Sequence, residues 1–145
     1  MIGLIQRVTH ADVVVEQKTI AAIEKGILAL IGIEKSDDEA SCKKLIDRIL
    51  EYRIFPDADG KSNLSLKSID GGLLLVPQFT LVAETNKGTR PGFSKGMAPQ
   101  ESSKLFTFLV DYAKQNHPHI ASGQFGANMQ VTLCNDGPVT FLLNS

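Results

Sequence analysis

Over its first third the chain alternates apolar and polar positions with a period of two. Leu4, Gln6 and Val8 fall on one face of an extended segment, Ile5 and Arg7 on the other. Thr9-His10 reads as a turn, and 11–16 as a second strand rich in β-branched residues. Gln17-Lys18 marks another turn, followed by a strand over 19–23 and a break at Glu24-Lys25-Gly26. Residues 27–33 are apolar on both faces, the pattern of a central strand. The period then becomes helical. Cys42, Leu45, Ile46, Ile49 and Leu50 form one stripe. Ser36-Asp37-Asp38-Glu39 has the form of a capping box, Glu39 and Lys43 are spaced to pair, and the helix is expected to end near Tyr52. Residues 54–55 read as extended, 56–61 as a turn, and 62–69 as irregular or weakly extended.

A second helix is predicted from Pro99, with Phe106, Leu109, Val110 and Ala113 in one row and Leu105, Phe108 and Tyr112 beside it. It stops before Asn116-His117-Pro118-His119, read as a surface turn. Alternation returns over 127–134, Asp136-Gly137-Pro138 turns the chain, and 139–143 is the last strand. Together these elements describe one α+β domain over 1–145. Its sheet is expected to be a mainly antiparallel, barrel-like meander with two main helices, not a series of βαβ units.

The stretch around which the rest is arranged runs from Leu73 to Leu81. Leu73-Leu74-Leu75-Val76 reads as a buried strand. Pro77 has no N–H to give a ladder, which places it at an edge or a bulge. Gln78 and Thr80 follow at strand spacing, so their side chains point the same way. They form either a polar pocket floor or the solvated face of an edge strand. The long loop 84–99 holds Gly88, Gly92 and Gly96 with the cations Lys87, Arg90 and Lys95. It reads either as a phosphate-holding loop or as solvated surface.

Charge narrows the partners. With 15 Lys and Arg against 16 Asp and Glu, the net charge is −1. No broad basic track exists, so any nucleic-acid contact must be local. Cys42 and Cys134 match no zinc or redox spacing and are expected to be reduced structural residues. Asp57-Ala58-Asp59-Gly60 lacks the other positions of a calcium loop, His117 and His119 lack a third ligand, and His10 lacks a catalytic partner, so no metal or cofactor is expected. The N-terminal residues lack the pattern of a signal peptide, and the apolar runs are too short to cross a bilayer, so a cytoplasmic location without membrane contact is expected.

Six blocks carry a resemblance that runs from Met1 to the C-terminus. They are Tyr52-Arg53-Ile54-Phe55, Gln78-Phe79-Thr80-Leu81, Arg90-Pro91 with Phe93-Ser94-Lys95-Gly96, Gly123-Gln124-Phe125, Met129-Gln130-Val131, and Asn135-Asp136-Gly137-Pro138-Val139-Thr140. In their order and spacing the chain resembles the D-aminoacyl-tRNA deacylases, the D-tyrosyl-tRNA deacylase family. The resemblance implies a homodimer with both active sites at the interface, acting on the acceptor end of aminoacyl-tRNA, with no DNA partner. It implies hydrolysis of D-aminoacyl esters, and of glycyl esters mischarged on tRNA-Ala, while L-esters are spared.

The resemblance also implies roles for particular residues. Gln78, Phe79 and Thr80 form the catalytic segment, with backbone N–H groups near Phe79 and Thr80 as oxyanion donors and the RNA's own 2′-hydroxyl assisting. Gly137-Pro138, joined by a cis bond, enters the partner's pocket and selects chirality. Arg7 supports that insert, Phe125 and Met129 line the adenosine and ester end, and Lys87, Arg90 and Lys95 meet phosphates. One signature departs: the family's Ser-Gln-x-Thr reads Pro77-Gln78-Phe79-Thr80 here, without the hydroxyl and one N–H. Two alternatives stay open: a related editing deacylase for L- or achiral aminoacyl-tRNA, and an inactive aminoacyl-tRNA-binding module.

Overall fold

A computed structural model describes residues 1–145. Its frame is two long antiparallel strands, β1 (Ile2–Val15) and β8 (Gln130–Asn144). On its other side β1 pairs with β3 (Gly26–Gly32) through residues 2–8 and with β2 (Lys18–Ile23) through residues 11–15. The sheet continues from β3 to β6 (Gly72–Pro77) and β7 (Ile120–Ser122), giving the order β2-β1-β3-β6-β7 with β8 on β1.

The α+β class, the barrel-like sheet and the two main helices match the sequence reading, but the strand connections do not follow a meander. β3 and β6 are parallel, and so are β6 and β7. Parallel neighbours need crossovers, and the helices supply them. The first crossover contains α1 (Glu39–Glu51), the short pair β4 (Phe55–Pro56) and β5 (Ser62–Leu64), and α2 (Leu66–Ile69). The second contains α3 (Pro99–Asn116).

The helices cover one face of the sheet. The α1 stripe Cys42, Leu45, Ile46, Ile49 and Leu50 is buried, as its spacing predicts, against Ile5, Ile27, Ile31, Leu73 and Leu75 and the α3 row Phe106, Leu109, Val110 and Ala113. The opposite face curls on itself and encloses Val8, Ala11, Val13, Leu28, Leu74 and Val76. Gly26 marks the closest backbone approach. A Cβ there would lie 1.9 Å from the Gly72 carbonyl oxygen, so only glycine fits between β3 and β6.

Several local expectations are corrected. Thr9-His10 is no turn: both residues lie within β1, exposed, where its register against β8 shifts between Val8 and Ala11. The α1 cap is Asp38 with Ser41, not Ser36 with Glu39, and Asp38 accepts the Ser41 N–H at 2.9 Å. Lys43 does not pair with Glu39; it sits over the rings of Phe108 and Tyr112. Residues 66–69 form a helical turn capped by Ser65. His117 is buried, not on a surface turn, and its Nε2–H donates to the Gly71 carbonyl at 2.6 Å. Cys42 is buried, which pushes its thiol up to about 12, with Asp37, Asp38 and Glu39 adding to the shift. Cys134 is exposed on β8, not buried within the chain.

Candidate functional site

The Gln78–Thr80 segment sits at the C-terminal end of β6, between β3 and β7. Pro77 closes a strand that is central over residues 73–75 but is a local edge at Pro77 itself, paired with Ile31 of β3 on one side and with nothing on the other, as expected. Strand alternation explains why proline is accepted there. Leu73 donates its N–H toward β7, to the His119 carbonyl, so position 77 faces the same side. β7 pairs only as far as Leu75↔Ser122, so the missing N–H breaks no ladder bond. Gln78 turns its N–H the other way, to the Ile31 carbonyl at 2.7 Å.

After Gln78 the strand stops. Phe79–Val82 is a 3₁₀ turn, so the strand spacing read for Gln78 and Thr80 does not hold. Their side chains nevertheless meet, the Gln78 amide donating to Thr80 Oγ1 at 2.5 Å. The first N–H groups of a helical turn have no acceptor within it. Gln78 supplies no side-chain cap, so the Phe79 and Thr80 N–H groups at the start of the turn are not capped by it. Gly123 and Met129 border this end of β6. A Cβ on Gly123 would meet Met129 Sδ at 2.8 Å and Pro77 Cδ at 3.5 Å. Phe125, half-buried, packs 6.2 Å from Phe106 against the main core.

Gly137-Pro138 occupies a different place. The expected turn is a bulge within one continuous strand. On β1, Gln6 faces Thr140 and Val8 faces Asn135, so residues 136–139 stand out from β8 opposite Arg7. The Gly137-Pro138 bond is cis, and both residues are exposed.

Two side chains brace the bulge. Arg7 donates from Nε to the Asp136 carbonyl at 3.0 Å and from Nη1 to the Ile54 carbonyl at 2.7 Å. Asn135 closes the neck, accepting the Val139 N–H at 3.0 Å and donating to Thr140 Oγ1 at 2.8 Å. Gly137 has φ +134°, and a Cβ there would lie 3.2 Å from Arg7 Nη2 and 2.7 Å from Val139 Cγ2. Asn135 belongs to the C-terminal motif, but the sequence alone assigns it no role. An amide five residues before a hydroxyl, flanking Asp-Gly-Pro, is the signal that marks a closed neck.

The two parts are separated within one chain. Arg7 pairs with Ile27, whereas Pro77 pairs with Ile31. Four residues along β3 is roughly 13 Å, and β8, β1, β3 and β6 span roughly 14 Å across the ladder.

The loop between β6 and α3 is tied down. Glu84 and Gly92 exchange two backbone hydrogen bonds, at 2.8 and 3.0 Å, and Lys95 pairs with the Glu84 carboxylate. The Lys95 contact, then the Asn86 N–H, hold the Glu84 carboxyl below its ordinary range. Lys95 is therefore engaged within the loop, while Lys87 and Arg90 are exposed and make no ion pair. No group of three or more His, Cys, Asp or Glu is placed to hold a metal.

The chain belongs to the D-Tyr-tRNA(Tyr) deacylase family, hydrolases of the aminoacyl-tRNA ester, whose profile matches residues 4–144. Two relatives named D-aminoacyl-tRNA deacylase align end to end. That of Pseudoalteromonas atlantica is 55% identical over 144 residues, 99% of each chain. That of Pseudomonas syringae pv. tomato is 55% identical over 145 residues, all of both chains. Among solved structures, one described as c-Myc DNA Unwinding Element Binding Protein superimposes with a TM-score of 0.96 at 35% identity, covering 100% of this chain and 99% of that one. Another, described as a probable eukaryotic D-amino acid tRNA deacylase, gives 0.86 at 15% identity over 99% and 98% of the two chains, a likeness of fold alone.

Proposed function

We propose that the protein hydrolyses D-aminoacyl-tRNA as a homodimer, each active site joining the Gln78–Thr80 turn of one protomer to the Gly137-Pro138 bulge of the other. The carrying observation is that the bulge is braced yet exposed, and lies far from the turn of its own chain. β8 supports the dimer reading: it pairs only with β1, and it exposes Phe141 and Leu142. Such an edge is a natural interface.

Chirality explains why the bulge must be rigid. D- and L-aminoacyl esters have equal hydrophobicity, and one methylene in an apolar pocket is worth only ~1–3 kcal/mol. Rejecting L-esters therefore requires fixed main chain where an L side chain would sit. The carbonyls of the bulge would accept from the substrate's α-amino group. Glycine has no side chain to be refused, so glycyl-tRNA, including that mischarged on tRNA-Ala, is hydrolysed too.

The chemistry would use main chain and substrate. Thr80 faces the Gln78 amide and has no neighbouring base, unlike an activated nucleophile. The RNA's terminal 2′-hydroxyl assists attack, and the N–H groups of Phe79 and Thr80 stabilise the developing oxyanion. One such donor is typically worth ~3–4 kcal/mol of barrier. Gln78 orients the terminal adenosine, with Phe125 and Met129 lining the adenosine and ester end. Lys87 and Arg90 meet phosphates, while Lys95 shapes the loop through Glu84 and reaches RNA less directly. The cytoplasm is where such a substrate is met.

The test is hydrolysis of D-tyrosyl- and L-tyrosyl-tRNA by the purified protein. Cleavage of the D-ester alone is expected. Cleavage of both would mean an editing deacylase without a chiral gate, and binding without cleavage an inactive binding module.

A further inference from the structure

The site just described accounts for the ester and its terminal adenosine but leaves one exposed feature unused. Phe79 and Phe93 lie with ring centroids 5.2 Å apart and planes tilted by 50°. They are 64% and 50% exposed, a pairing of two aromatic rings that both face solvent. Phe79 opens the turn, and its side chain is separate from the main-chain N–H proposed as an oxyanion donor. Phe93 directly follows Gly92, which is fixed by its two bonds to Glu84. Met97 donates to the Ile33 carbonyl and Lys35 to the Lys95 carbonyl, which anchor the far end of the loop to the end of β3. The rings are thus held in place without being buried.

The loop that carries Phe93 has an excess of positive charge. Glu84 is neutralised by Lys95, while Lys87 and Arg90 remain unpaired on the same loop. Rigid exposed aromatic rings beside free cations are how proteins hold single-stranded nucleic acid, the bases stacking and the cations meeting the backbone. The proposed dimer would bring the partner's Gly137-Pro138 bulge to the main chain of this turn, and the two unpaired cations argue for RNA, not for more protein, over the rings.

We infer that Phe79 and Phe93 form a stacking platform for the unpaired nucleotides that precede the terminal adenosine of the substrate RNA. This rests on the proposed function, and it places affinity for the RNA on side chains distinct from the main-chain catalytic groups. The platform reads base faces, so it is tolerant of sequence and independent of the amino acid attached.

The test is direct binding of a fluorescein-labelled single-stranded RNA ending in CCA, without an amino acid, measured by fluorescence anisotropy. Phe93→Ala should weaken binding about five- to a hundredfold, and Phe93→Tyr should retain it, since stacking needs only a ring. Unchanged binding by Phe93→Ala would overturn the inference. So would a Phe93→Ala protein whose sedimentation shows altered self-association, because the rings would then be an interface between copies. Hydrolysis of D-tyrosyl-adenosine, which lacks the preceding nucleotides, should not change in Phe93→Ala. Binding is read without turnover, so failure of the platform and failure of the deacylase reading are seen separately.

Discussion

The Gln78–Thr80 turn and the Gly137-Pro138 bulge are built by opposite means. The turn is a strand end: β6 stops, N–H groups are left over, and one side-chain hydrogen bond joins Gln78 to Thr80. The bulge is an interruption that must be held. It is tied to β1 and to the segment after α1 by Arg7, and its neck is closed by Asn135. The difference agrees with what each part would have to do under the proposed function. Stabilising a charge needs donors in roughly the right place, which a strand terminus provides. Rejecting one enantiomer needs main chain that does not yield.

Perturbing the bulge should therefore cost more than perturbing turn side chains. The largest effect is expected from Gly137→Ala, which puts a Cβ against Arg7 and Val139 at a φ that disfavours side chains. Displacement of a positioning group by about 1 Å is worth about a hundredfold. Single-turnover hydrolysis of D-tyrosyl-tRNA should fall at least that far, while the CD spectrum is kept. Arg7→Ala removes two charge-assisted bonds, and a loss of about 2–3 kcal/mol in transition-state stabilisation is expected from kcat/KM. Arg7→Lys should not restore it, since one ammonium does not reproduce the fork that spans Asp136 and Ile54.

Asn135→Ala should come next, at about 1–2 kcal/mol for two neutral hydrogen bonds, with the D-to-L ratio falling alongside the rate. Thr80→Ala should be milder, within about tenfold of wild type, because it removes no base-activated nucleophile. Loss of all hydrolysis in that variant, with the fold kept, would reverse the comparison. The smallest effect concerns salt. Lys87→Ala and Arg90→Ala should each lower the slope of log affinity against log salt by about 0.7 for single-stranded RNA.

pH sharpens the same contrast through the loop. The Glu84 carboxyl lies below its ordinary value in the folded protein, so the Lys95 brace contributes fully above the unfolded value and is lost as pH falls through the folded one. Amide resonances of Gly92 and Phe93 should shift in that acidic window, below about 4.3, and those of the Gly137 bulge should not follow them.

What the sequence made legible depended on whether an element has a single period. The α1 stripe was readable because five apolar residues at helical spacing meet one face. The central position of β3 was readable because it is buried from both sides. Interruptions within strands were not. Thr9-His10 and Asp136-Gly137-Pro138 have the composition of turns, yet the chain continues along the same partner after each. Local composition marks where pairing is broken, not whether the strand resumes. The order of the strands was hidden for a related reason: β3–β6 and β6–β7 are contacts between distant segments, and no local pattern records them. Thr80 is the reverse case: two polar residues at a spacing of two suggest a strand, and the chain forms a 3₁₀ turn there. The site motifs stand out only by resemblance, and their separation within one chain is visible only in the fold.

That separation is the central claim, and subunit mixing tests it most directly. One variant would carry Phe79→Pro, which removes an N–H at a first helical position that tolerates proline. The other would carry Gly137→Ala. Each alone should be inactive. If the site is shared across the dimer, unfolding and refolding the two together gives heterodimers with one intact site, and about a quarter of the wild-type hydrolysis of D-tyrosyl-tRNA returns under random pairing. If each chain builds its own site, the mixture stays as inactive as its parents, and the shared site is contradicted.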